Sequence, residues 1–124
     1  MLANNLAMAL VTHKKDKDSL SRARELIGVF SDSKSPALKD SVGWVLYKLG
    51  EVNQAIPYLE QAAVELGEVP VINYHLGMAY FEKGDMKQSR LFLTKALASD
   101  AKFYGVEEAA ATLDKIARAD TDGT

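Results

Sequence analysis

Residues 36–66 read PALKDSVGWVLYKLGEVNQAIPYLEQAAVEL, and the pattern of this stretch returns 34 residues later in the chain. Proline, glycine, leucine and alanine all recur at that one offset, which indicates an internal repeat. The matched pairs are Pro36 and Pro70, Gly43 and Gly77, Gly50 and Gly84, Leu59 and Leu93, and Ala62 and Ala96.

Each repeat reads as two helices joined by a turn. Lys39, Val42, Gly43 and Leu46 fall at i, i+3, i+4 and i+7, which places them on one face of a first helix. Gly50 ends that helix, and a second helix follows with Ala55, Leu59, Ala62 and Ala63 on one face. The pattern predicts an antiparallel helical hairpin with one apolar side. Because a single hairpin cannot bury that side alone, neighbouring hairpins must stack on it.

The 34-residue period, the glycine within the first helix and the Gly-Glu or Gly-Asp turn resemble the tetratricopeptide repeat family. Two features depart from the family pattern. Lys39 and Asn73 occupy the slot where the family carries tryptophan or another large apolar residue, and Ala101 and then Phe103 follow the last unit, where the family usually has a proline. Ser89 also replaces a small alanine. The resemblance implies an all-α fold, a right-handed superhelix of three helix-turn-helix hairpins followed by a C-terminal capping helix. The residues that carry it are Val42, Gly43, Leu46, Tyr47, Gly50, Ala55, Leu59 and Ala62, then Leu76, Gly77, Tyr80, Phe81, Gly84, Leu93 and Ala96.

We expect a single domain over residues 1–119. Its repeats span about 2–31, 36–66 and 70–99, its capping helix spans 105–119, and residues 120–124 form a frayed tail. The cap is expected to bury Ala109, Ala110, Leu113 and Ile116. The N-terminal end carries Leu2 and Leu6 without a preceding cap, which suggests the C-terminal repeats of a longer bacterial repeat protein. The same uncapped face could also pair with a second copy of the chain.

Composition excludes several classes of function. The sequence has no cysteine, so disulfides, thiolate nucleophiles and cysteine-ligated zinc are excluded. A net charge of −2 gives no electrostatic footprint for nucleic acid. No apolar run is long enough to span a bilayer, and no phosphate-binding loop, zinc-protease or hydrolase motif occurs. We therefore expect a protein without enzyme activity, cofactor or metal.

A second stripe on the first helices is the candidate binding surface. In tetratricopeptide stacks the first helices line the concave wall, so the resemblance implies that residues on this stripe face a groove. Large aromatic side chains and methionine suit recognition there. The expected groove residues are Asn4, Met8, Asp40, Trp44, Tyr47, Lys48, Tyr74, Met78, Phe81 and Glu82.

The sequence favours a protein–protein interaction module that binds a peptide or helix in this groove. A self-assembling scaffold segment, and a regulatory domain of a larger enzyme or of a secretion or exopolysaccharide protein, remain alternatives. The compartment stays open between cytoplasm and, for an exported parent protein, periplasm. The family's chaperone-tail clamps need lysine and asparagine where this chain has Asp40 and Trp44, so that partner is not expected.

Overall fold

The structure, a computed structural model, describes residues 21–22, 24–25, 28–29, 32–98, 100 and 102–122. Five helices are bounded within these residues, and no strand occurs among them. The chain divides into two compact units, an N-terminal unit of residues 1–66 and a C-terminal unit of residues 67–124. Most of the first predicted repeat lies outside the described residues. Residues 21–22, 24–25 and 28 are helical.

In the N-terminal unit, α1 (Pro36–Lys48) and α2 (Val52–Leu66) pack as a hairpin. Pro36 begins α1, where its missing N–H costs nothing, and the Ser35 hydroxyl caps the helix by accepting from the Leu38 amide at 3.4 Å. The second helix continues through Pro57, which lies in its first half. The hairpin therefore runs from Pro36 to Leu66.

In the C-terminal unit, α3 (Pro70–Lys83) and α4 (Met86–Leu97) form a second hairpin, and α5 (Val106–Asp122) packs on both. The last helix reaches Asp122, three residues past its predicted end at 119. Its buried face consists of Ala109, Thr112 and Ile116. The buried positions fall at i, i+3 and i+7, starting from Ala109. Ala110, which we expected on that face, lies outside this spacing and is exposed.

The turns of both hairpins have the same backbone conformation. At the end of α1, Gly50 has a φ of 85°, its amide donates to the Tyr47 carbonyl at 3.0 Å, and the next amide donates to the Leu46 carbonyl at 2.9 Å. Gly84 repeats this geometry after α3, with a φ of 94°. A left-handed backbone is the conformation that glycine adopts at least cost. The prediction that the first helices stop at these two glycines is confirmed.

The two helices of each hairpin touch at a glycine. A Cβ atom added at Gly43 would lie 2.6 Å from Leu59 Cγ, and one added at Gly77 would lie 2.6 Å from Leu93 Cδ2. Both leucines are fully buried. The recurrence of small and large residues at one offset thus sets the helix–helix distance in both hairpins.

Candidate partner-binding site

The predicted groove residues have very different surroundings in the structure. Asn4 and Met8 lie outside the described residues, as do Leu2 and Leu6 of the uncapped end. The other eight lie on α1 and α3, four on each helix, at the predicted helical spacing. Their exposure to solvent separates them into two groups.

On α1, the tryptophan that we expected to line the groove is buried. Trp44 is only 2% exposed, and Asp40 is buried as well. The Trp44 ring stacks on Tyr47 with centroids 4.7 Å apart, and the Lys48 ammonium lies 4.9 Å from the centre of the Trp44 ring. A cation over a stacked aromatic pair is favourable. Tyr47 and Lys48 are half-buried, so they are the members of this group that α1 presents to solvent.

On α3, Tyr74 belongs to the core of the C-terminal unit and is 1% exposed. Its ring lies against the backbone of Gly105, where an added Cβ would approach the ring's Cε2 to 2.5 Å. The ring centroid is also 5.6 Å from that of Phe103. The Tyr74 hydroxyl and a Glu108 carboxylate oxygen are 3.1 Å apart, a hydrogen bond that ties α3 to the first turn of α5. Sequence reasoning missed Gly105 and Glu108 as partners of this tyrosine.

The remaining α3 residues divide in the same way as those of α1. Met78 is 5% exposed, Phe81 is half-buried and Glu82 is exposed. The expectation that Trp44, Tyr74 and Met78 form an open apolar surface is wrong, because the middle of each first helix is buried around most of its circumference. Eight successive residues of α3, from Ile72 to Ala79, are buried. Binding of a partner by any of the ten predicted residues stays a prediction.

A sequence signal for this burial was present. Residues 70–81 and residues 41–47 contain no Asp, Glu, Lys or Arg. A helix that is apolar over most of its circumference is a buried helix, whereas α2, with many charged and amide side chains, buries only four residues. The solvent-facing part of the predicted stripe therefore begins where polar residues return, at the C-terminal turns of α1 and α3.

Neither a metal site nor a membrane span is present in the described part of the chain. No three His, Asp or Glu side chains gather there in a way that could hold a metal ion. The helices bounded there also lack the length and apolar character that crossing a membrane requires.

Comparison with known proteins supports the repeat architecture. A tetratricopeptide repeat model matches residues 71–103, which correspond to the third predicted repeat. No curated protein sequence matches the chain.

Two solved structures share the fold at low sequence identity. The Yersinia enterocolitica type III secretion chaperone SycD, in complex with a peptide of the translocator YopD, aligns with a TM-score of 0.69 and 16% identity, covering 93% of this chain and 89% of that one. PcrH, in complex with the chaperone binding region of PopD, aligns with a TM-score of 0.68 and 17% identity, covering 92% and 90%.

The 34-residue period, the paired glycine turns and the paired glycine–leucine contacts agree with the matched repeat model and with the fold of these neighbours. The described part of the chain is all-α, and residues 71–103 match a tetratricopeptide repeat.

Proposed function

We propose that the chain is a non-enzymatic interaction module that binds a peptide or helix of a partner protein. The observation that carries this proposal is the pair of surface positions at the ends of the first helices. Tyr47 and Lys48 on α1 recur 34 residues later as Phe81 and Glu82 on α3. In each repeat an aromatic side chain and a charged side chain keep part of their surface exposed at the C-terminal end of a helix whose middle is buried.

Aromatic rings at such positions suit recognition. A half-exposed ring already fixed by its neighbours loses little conformational entropy when a partner covers it. Tyr47 is fixed in this way by its stacking on Trp44, and the Lys48 ammonium lies 5.8 Å from the centre of the Tyr47 ring. The buried Trp44 would then position the contact residue Tyr47 and would not itself touch a partner.

The structural neighbours support the same class of function. Both were solved with a segment of another protein, a peptide of YopD in one case and the chaperone binding region of PopD in the other. At 16% and 17% identity the likeness concerns the fold, and the partner of this chain is left to experiment.

The proposal is tested by selecting peptides from a random library on the folded chain and measuring their affinity by fluorescence anisotropy. Tyr47→Ala and Phe81→Ala should each weaken a selected peptide by roughly 1–2 kcal/mol or more, as hot-spot truncations do. Val64→Ala is the matched control, since Val64 is an apolar side chain that is 84% exposed on α2.

Unfolding of each variant is followed in parallel, so that lost binding is separated from lost structure. Selection of no peptide, or peptides that bind both variants as tightly as the parent chain, would contradict the proposal.

A further inference from the structure

The solvent-facing sides of α2 and α4, the second helices of the two hairpins, carry opposite charges. The charged residues of α2 are Glu60 and Glu65, and this helix contains no lysine or arginine. The charged residues of α4 are Lys87, Arg90 and Lys95, and this helix contains no aspartate or glutamate. All five side chains are exposed. Helix α2 therefore presents an acidic face to solvent, and α4 presents a basic one.

Each of these faces has an exposed apolar side chain at its centre. Leu91 on α4 is 52% exposed, and Lys87 and Lys95 lie four residues before and after it, on the same side of the helix. Val64 on α2 is 84% exposed, and Glu60 precedes it by four residues. An apolar centre within a charged rim is the composition of a protein–protein contact surface.

Helix stability does not account for the signs of these charges. Glu65 lies in the last turn of α2, where a negative charge opposes the helix dipole. Lys87 lies in the first turn of α4, where a positive charge opposes it. Each charge thus stands at the helix end that disfavours it. A contact that requires an acidic α2 and a basic α4 accounts for both.

We propose that the chain associates with a second copy of itself, the acidic face of α2 in one copy packing on the basic face of α4 in the other. With the two helices antiparallel and Val64 opposite Leu91, Glu60 comes level with Lys95, because each lies four residues from the apolar residue of its own helix. A contact between two helix faces about 20 Å long buries less than the roughly 1,200 Å² of a standard interface, so the association is weak and depends on salt.

This contact is separate from the peptide-binding surface proposed above. Tyr47, Lys48, Phe81 and Glu82 lie on the first helices of the hairpins, whereas both charged faces lie on the second helices. Failure of the self-association would therefore leave the proposed peptide binding standing.

The test is sedimentation equilibrium of the full chain over a concentration series that reaches about 1 mM, at salt concentrations of about 0.1 M and about 1 M. We expect the average mass to rise with concentration at low salt. The dissociation constant should increase several-fold at high salt, where the screening length falls from about 10 Å to about 3 Å. Leu91→Ala should weaken the association, because it removes the apolar centre of the basic face.

Charge reversal identifies the two faces. Lys87→Glu with Lys95→Glu makes the α4 face acidic, and Glu60→Lys with Glu65→Lys makes the α2 face basic. Each double variant alone should be monomeric, because its two faces carry charges of the same sign. An equimolar mixture of the two should associate again, because each variant supplies the face that the other has lost. Circular dichroism of each variant checks that the fold is retained.

A matched control changes the charge elsewhere. Lys115→Glu with Arg118→Glu, on the exposed side of α5, changes the net charge by the same amount as the α4 variant and should leave the association unchanged. A chain that stays monomeric throughout the series, association that persists in either reversed variant alone, or a mixture that stays monomeric would each overturn the proposal. Binding of a monomeric chain to vesicles of phosphatidylserine and phosphatidylcholine, lost in the α4 variant, would also overturn it and would assign the basic face to a membrane surface.

Discussion

The closest approach between helices gives the sharpest test of the packing. In Gly77→Ala the new methyl group would lie 2.6 Å from Leu93 Cδ2 and 3.1 Å from the Leu93 backbone nitrogen. Carbon atoms prefer separations of about 3.5–4.0 Å, so the overlap is close to 1 Å. Leu93 has no exposed surface and cannot turn outwards. Overpacking of this kind costs about 1–3 kcal/mol, and the better helix propensity of alanine returns about 1 kcal/mol.

We therefore expect Gly77→Ala to lower the free energy of unfolding by up to about 2 kcal/mol. The measurement is urea denaturation followed by circular dichroism at fixed temperature. Ala110→Gly, at an exposed position of α5, measures the helix-propensity term in this chain. Gly43→Ala should repeat the result, because Leu59 lies at the same distance there.

A double variant isolates the contact. Leu93→Ala alone should cost about 2–5 kcal/mol, since it empties a buried site. In that background Gly77→Ala should become neutral or stabilising, because its methyl group enters the emptied volume. Stabilisation by about 1 kcal/mol in the parent chain, the value expected from propensity alone, would refute the close packing of α3 on α4.

Three further substitutions test buried and strained positions by the same unfolding measurement. Trp44→Ala should lower the free energy of unfolding by about 3–5 kcal/mol, as expected for a buried tryptophan. A loss below about 1 kcal/mol would show that Trp44 is not buried. Tyr74→Phe should cost about 0.5–1.5 kcal/mol, because it removes the hydrogen bond that the hydroxyl donates to Glu108, and no change would show that this bond is exchanged for water at no cost. Gly105→Ala should destabilise more than Gly50→Ala, which meets no neighbouring atom and costs only the roughly 1–2 kcal/mol of a left-handed alanine. Equal losses would contradict the packing of the Tyr74 ring on Gly105.

The hairpins could be read from the sequence because their determinants are local. A glycine that ends a helix, a proline that begins one, and a small residue opposite a leucine all act within a single repeat. Each assignment in one repeat can then be compared with the equivalent residue 34 positions later, as at Gly50 and Gly84. In the structure, helices begin at Pro36 and Pro70, and α2 ends at Leu66.

Burial of the candidate site could not be read in the same way. Helical spacing assigns a residue to a face, but it does not say which distant segment covers that face. Tyr74 is covered by Phe103 and Gly105, about 30 residues further along the chain, and no copy of that segment exists elsewhere for comparison. The absence of charge around Trp44 and Tyr74 indicated burial, yet large apolar residues are also what a binding surface uses. Composition alone cannot separate the two.

The two surface pairs are Tyr47 with Lys48 on α1 and Phe81 with Glu82 on α3. They differ in whether a substitution can change binding without also changing stability. Lys48 lies in the last turn of α1, where a positive charge stabilises the helix through its dipole. Its ammonium also lies over two aromatic rings, so any substitution there alters stability as well as binding. Glu82 lies in the last turn of α3, where a negative charge opposes the dipole by about 0.3–1 kcal/mol. Because Glu82 is exposed and locally unfavourable, a binding defect in Glu82→Gln cannot be attributed to a weakened helix. Of the four proposed contact residues, Glu82 is therefore the one whose substitution separates recognition from folding.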